Sequence, residues 1–75
     1  MTFAKALPYI KQENKAYRVL DEYGYRRYIR SWDNGETFER LYVSQGEESW
    51  FKHEITQEDL DGDWTVEVVT LHELH

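Results

Sequence analysis

Phe3, Ala6, Leu7 and Ile10 recur three and four residues apart directly behind Thr2. That spacing is one face of a helix, with Thr2 placed as its N-cap. Pro8 lies too deep in the segment for a first-turn proline, so the pattern predicts a kinked helix or two short turns. The apolar face is expected to lie on a sheet, or else Phe3 contributes its ring to a ligand pocket or subunit contact. After a polar loop over 12–15 the period changes to two. Residues 16–20 (AYRVL) read as a short strand with Arg18 on the face opposite Tyr17 and Val19, and 21–24 as a turn. The stretch 23–32, YGYRRYIRSW, then has the composition of a twisted strand. In register, Tyr23, Tyr25, Arg27, Ile29 and Ser31 point one way, and Arg26, Tyr28, Arg30 and Trp32 the other.

Asp33, Asn34 and Gly35 form the clearest turn signal. Residues 37–44 alternate as the next strand, Phe38, Arg40 and Tyr42 on one side and Glu39, Leu41 and Val43 on the other. A turn over 45–48 leads to a strand over 49–54 with Trp50 and Phe51 on opposite faces; Lys52, His53 and Glu54 acquire no evident partner. Thr56 with Asp59 three residues on is a capping-box pattern for a single helical turn ending near Asp61 and Gly62. WTVEVV, residues 64–69, is the last strand, with Trp64 in the core. The expected fold class is α+β: an N-terminal helix packed on an antiparallel β-meander of four to five strands, with a short helical turn before the last strand. Residues 1–71 are expected to form one domain and 72–75 a disordered tail.

Charge changes the picture more than composition does. The net charge of the 75 residues is −6, yet residues 1–30 carry seven basic and three acidic side chains and residues 31–75 two basic and twelve acidic. A general DNA-binding role is disfavoured, while a local anion site in the first half stays open. The acidic half serves solubility or meets a basic partner. There is no cysteine, hence no disulfide or thiolate metal site. No apolar run is long enough for a membrane span, and Lys5 and Pro8 interrupt any signal-peptide pattern at the start.

The row Arg26, Tyr28, Arg30 and Trp32 either lines a site for a planar, phosphorylated ligand or is a solvated sheet face on which rings and arginine stems cover one another. Arg18 either pairs with a surface carboxylate or forks onto phosphate. Asp59, Asp61 and Asp63 lack the length and the twelfth-position glutamate of a calcium loop. His72 and His75 around Glu73 do not have zinc-protease spacing. No nucleophile has an identifiable assistant, and the glycines are isolated turn residues, so neither an enzyme nor a cofactor is expected. Aromatics on both faces of the meander point to an oligomer.

The opening Phe3, Ala6, Leu7, Ile10, Lys11 and Arg18, the closing TQEDLDGDWTVE of residues 56–67 and the aromatic meander between them together resemble the phage-encoded Tad2-like family, associated with neutralising the Thoeris antiviral defence. Where that family has Gly-Trp after the arginine, this chain has Tyr23 and Gly24. The resemblance implies a homo-oligomeric protein in the cytoplasm of an infected bacterium. Such a protein sequesters a cyclic nucleotide immune signal, of the cyclic ADP-ribose type or a cyclic oligonucleotide, without hydrolysing it. Phe3 and Arg18 are the candidates that the family pattern adds to the pocket, with Tyr23 in the place of the ring that stacks; Asp63 and Trp64 are supports. The residues themselves add Arg26, Tyr28 and Arg30. The alternative is an acidic protein-binding inhibitor of a host defence nuclease, of the DNA-mimic kind, using Glu47, Glu48, Glu54, Glu58, Asp59, Asp61 and Asp63.

Overall fold

A computed structural model describes residues 1–68. Helix α1, Phe3–Ile10, starts at Thr2, whose Oγ1 accepts the Lys5 N–H at 3.3 Å. Of the two expected outcomes, a kinked helix or two short turns, the second does not occur: one helix runs through Pro8. Proline removes the bond to the carbonyl four residues back. Here that carbonyl belongs to Ala4 on the exposed side, while Phe3, Ala6 and Ile10 are buried on both sides of the proline and hold the helix down. Thr2→Ala is expected to lower stability by about 1 kcal/mol, read from the urea midpoint, with the fold unchanged.

Five strands follow: β1 Lys15–Val19, β2 Arg26–Arg30, β3 Phe38–Ser44, β4 Glu47–His53 and β5 Trp64–Glu67, with helix α2, Gln57–Asp61, before the last. Every pairing is antiparallel, and the sheet order is β4-β3-β2-β1-β5. The architecture is therefore α+β: β1 to β4 form the meander, and the chain returns through α2 to lay β5 on the free side of β1. The strand read over 23–32 is shorter than its composition suggests. Tyr23 and Gly24 are used in the β1–β2 turn, where the Tyr23 N–H donates to Asp21 Oδ1. At the other end Ser31 leaves the ladder and its Oγ donates to Asp33 Oδ1 while accepting the Gly35 N–H. The β3–β4 connection is tighter than the expected four-residue turn. Gln45 and Gly46 both have positive φ, 53° and 82°, which makes a two-residue hairpin matched to strand twist and extends β4 back to Glu47.

Both helices lie on one face of the sheet. The core there is Phe3, Ala6, Ile10, Ala16, Ile29 and Trp64, bordered by Leu7, Phe38, Ile55 and Val66. Phe3 meets Trp64 and Phe38 edge-on, with ring centroids 5.5 and 5.8 Å apart. Beneath α2 sits a polar knot. Asp59, fully buried, completes the capping box by accepting the Thr56 N–H, and its two oxygens also take Arg18 Nε at 2.9 Å and His53 Nε2 at 2.8 Å. Trp64 Nε1 donates to the Asp59 carbonyl at 2.7 Å. The partner that His53 lacked in the sequence is thus this carboxylate. Among the described residues no helix is long and apolar enough to cross a membrane. The expected tail at 72–75 lies outside the described residues, as does Val69, the last position of the expected final strand.

Candidate binding face

Alternation along each strand, combined with the register, decides which side chains share a surface. Ile29 pairs with Ala16 and Arg40, and Ala16 with Val66, so these belong to the helix side. Their neighbours in sequence belong to the other face, which neither helix covers. Tyr28 stands opposite Tyr17, Arg26 opposite Val19, and Arg30 opposite Glu39, while Leu41 and Val43 are paired with Trp50 and Glu48. The central strand therefore presents Arg26, Tyr28 and Arg30 along the middle of an uncovered sheet.

The contacts on this face are ring and cation contacts. The Arg26 guanidinium lies 4.2 Å from the Tyr17 ring centroid, and that of Arg30 lies 3.9 Å from Trp50 and 4.9 Å from Trp32. Tyr17 and Tyr28 are 5.1 Å apart, with Lys15 Nζ 5.7 Å from the Tyr28 ring. Polar tips are linked in series: Arg26 Nη1 donates to Tyr28 Oη at 3.1 Å, and that hydroxyl donates to Glu67 Oε1 at 3.0 Å. The bond to Tyr28, with the Tyr17 phenol beside it, pushes the Arg26 guanidinium above its ordinary pKa. Arg30 forms an ion pair with Glu39 at 2.9 Å. Arg26 forms none among the described residues, so its charge is held by rings and a hydroxyl. A shallow cavity of ≈ 380 Å³ opens beside it, lined by Gly24, Tyr25, Arg26, Tyr28, Leu41 and Val43.

Of the residues singled out from the sequence, the structure brings Arg26, Tyr28 and Arg30 together. Trp32, read as the end of the same row, lies beyond β2 but still stacks against Arg30. Phe3 and Arg18 are on the other side of the sheet, Phe3 in the core and Arg18 in the Asp59 knot, so neither reaches this face. Tyr23 is 81% exposed in the β1–β2 turn. Tyr17, Leu41, Val43, Trp50 and Glu67 complete the face and are supplied by cross-strand pairing, for which the only signal in the sequence is the alternation of each strand taken alone.

Three of the acidic positions have partners within the chain. Asp59 is internal, Asp61 accepts from Gln57, and Asp63 pairs with the Met1 ammonium at 2.7 Å. Among the described residues no three His, Asp or Glu side chains converge as a metal site would require. His72, Glu73 and His75 lie outside the described residues. Asp33 is an ordering element of the β2–β3 loop: bonds from the Thr37 hydroxyl and N–H, with a further one from Ser31, hold its carboxyl down to about 2.

Comparison of the chain with protein-family models, curated proteins and solved structures gives no match. What fold and face define together is a class of architecture: a single antiparallel sheet with helices on one side and a bare cationic and aromatic surface on the other.

Proposed function

We propose that the chain is a phage anti-defence protein that binds a cyclic nucleotide immune signal on the bare sheet face and sequesters it intact in the cytoplasm of the infected host. The observation that carries this reading is the Arg26, Tyr28 and Arg30 row on an uncovered sheet, flanked by Tyr17 and Trp50. Guanidinium forks match phosphate oxygens, and aromatic rings at the spacing of a strand receive planar bases. Sequestration requires only affinity and enough protein, so the reading assigns no residue to bond making or breaking. The resemblance of the opening and of residues 56–67 to Tad2-like proteins supports the same ligand class. The acidic-inhibitor reading is less well supported, because Asp59 is buried within the fold.

Isothermal titration with cyclic ADP-ribose isomers and cyclic di- and trinucleotides tests the proposal. Saturable binding is expected for one ligand of the panel, with that ligand recovered unchanged after the protein is denatured. Silence toward the whole panel at micromolar concentration, or recovery of a hydrolysed product, would overturn it.

A further inference from the structure

The two edges of the sheet are not alike. Beyond β5 the chain's own first residue acts as a short partner: the Trp64 N–H donates to the Met1 carbonyl at 2.6 Å and the Met1 ammonium donates to the Trp64 carbonyl at 2.9 Å. Strand β4, seven residues long and without proline, pairs only with β3 among the described residues, which leaves its outer edge with no strand there. A long exposed edge is a template for another chain unless its side chains oppose pairing.

The side chains of β4 favour one kind of pairing. The strand reads Glu47, Glu48, Ser49, Trp50, Phe51, Lys52, His53, and Trp50 is its centre. In an antiparallel pair of two copies with the two-fold axis at Trp50, Glu48 stands opposite Lys52 of the second copy and Lys52 opposite Glu48. The two Trp50 residues meet on the axis, and Ser49 faces Phe51. Glu48, Trp50 and Lys52 all belong to the bare face, so both ion pairs and the indole pair form on one surface. Moving the axis by one residue in either direction dissolves both ion pairs. Moving it by two sets Glu48 against Glu48 or Lys52 against Lys52, which is repulsive. Lys52 is available for this role, because its contact with Glu54 is long, 3.8 Å, and both side chains are largely exposed.

We infer that the chain forms a two-fold dimer by antiparallel pairing of β4 with β4 of a second copy in the Trp50-centred register, giving a continuous ten-stranded sheet. Main-chain hydrogen bonds supply the adhesion and the Glu48–Lys52 pairs select the register. A β4–β4 pairing about a two-fold axis is isologous, so the interface closes at two chains. The pairing does not rest on the identity of any ligand.

The test is sedimentation equilibrium on the intact chain and on charge-swapped variants. The wild type is expected at twice its 9.1 kDa chain mass. Glu48→Lys and Lys52→Glu should each weaken the dimer by about tenfold or more, since each turns two attractive pairs into repulsive ones. The double exchange Glu48→Lys with Lys52→Glu should restore it, and an equimolar mixture of the two single variants should form the mixed dimer. Both positions are exposed, so unchanged circular dichroism is expected throughout. A monomeric wild type, or a dimer indifferent to both reversals, would overturn the inference. Nucleotide titration of the monomeric single variants reads binding separately, so failure of the dimer and failure of the ligand proposal are distinguishable.

Discussion

Replacing Asp59 by alanine is expected to remove about 3–5 kcal/mol of stability, the cost of breaking a buried ion pair from one side. A domain of this size has about 4–11 kcal/mol in total, so the variant should be largely unfolded or close to it. The reason is the number of groups that depend on one carboxylate. Arg18 Nε, His53 Nε2 and the Thr56 N–H all donate or bond to it, and the first two side chains are themselves mostly buried. Removing the acceptor leaves a guanidinium and an imidazole under α2 without their carboxylate, and removes the capping box that starts that helix. The same carboxylate predicts a pH dependence. Burial pushes its pKa up, but the bonds from Thr56, His53 and Arg18 outweigh burial and hold it at about 2, below the ordinary 3.8. A depressed acid stabilises the fold above its unfolded value and loses that contribution as pH falls through the folded one. Urea midpoints should therefore be insensitive to this group above about 4 and fall between there and about 2. Asp33 titrates in the same window, so the portion owed to Asp59 is the difference between wild type and Asp59→Asn.

The second large effect is on binding. Each charged hydrogen bond between a guanidinium and a phosphate is worth about 1.5–3 kcal/mol, or roughly 10- to 150-fold in affinity. Arg26→Ala and Arg30→Ala should each weaken nucleotide binding by that amount, and the double variant should show no saturable binding at micromolar ligand. Arg26→Lys keeps the charge but gives up the planar stack on Tyr17, so an intermediate loss is expected. Arg18 provides the contrast. Its guanidinium belongs to the Asp59 knot on the opposite side of the sheet, so Arg18→Ala should lower the urea midpoint and leave affinity of the folded protein unchanged. Equal loss of affinity in all three alanine variants would show that the bare face is not where the nucleotide sits.

The order of elements was legible because local signals agreed with one another. Thr2, the Thr56 and Asp59 pair and the Asp33–Gly35 turn each satisfy backbone groups within a few residues, and such satisfaction can be read along the chain. The Arg26, Tyr28 and Arg30 face was legible for a similar reason, since alternation within one strand fixes it. What alternation does not contain is register. The opposite placement of Arg18 and Arg26 follows from the pairing of β1 with β2 and the position of α1, neither of which is local. Likewise His53 reaches Asp59 from a different element, and Arg18 reaches it across 41 residues of chain. Phe3 shows the limit most plainly: a ring at helical spacing suits a core or a pocket equally well, and only its contacts with Trp64 and Phe38 place it inside. Pro8 is tolerated within one helix because a proline's cost depends on whether the freed carbonyl is buried, and Ala4 lies on the exposed side.

The central claim is that a nucleotide sits on the bare face of the sheet. The most direct measurement is the map of backbone, indole and guanidinium NMR shifts as the tightest-binding member of the panel is added. The account predicts shifts at Tyr17, Arg26, Tyr28, Arg30 and the Trp50 indole, with the buried Trp64 indole and the Arg18 guanidinium unmoved. Shifts gathered instead around Arg18, Phe3 and Trp64, with the Arg26 to Arg30 row silent, would contradict it.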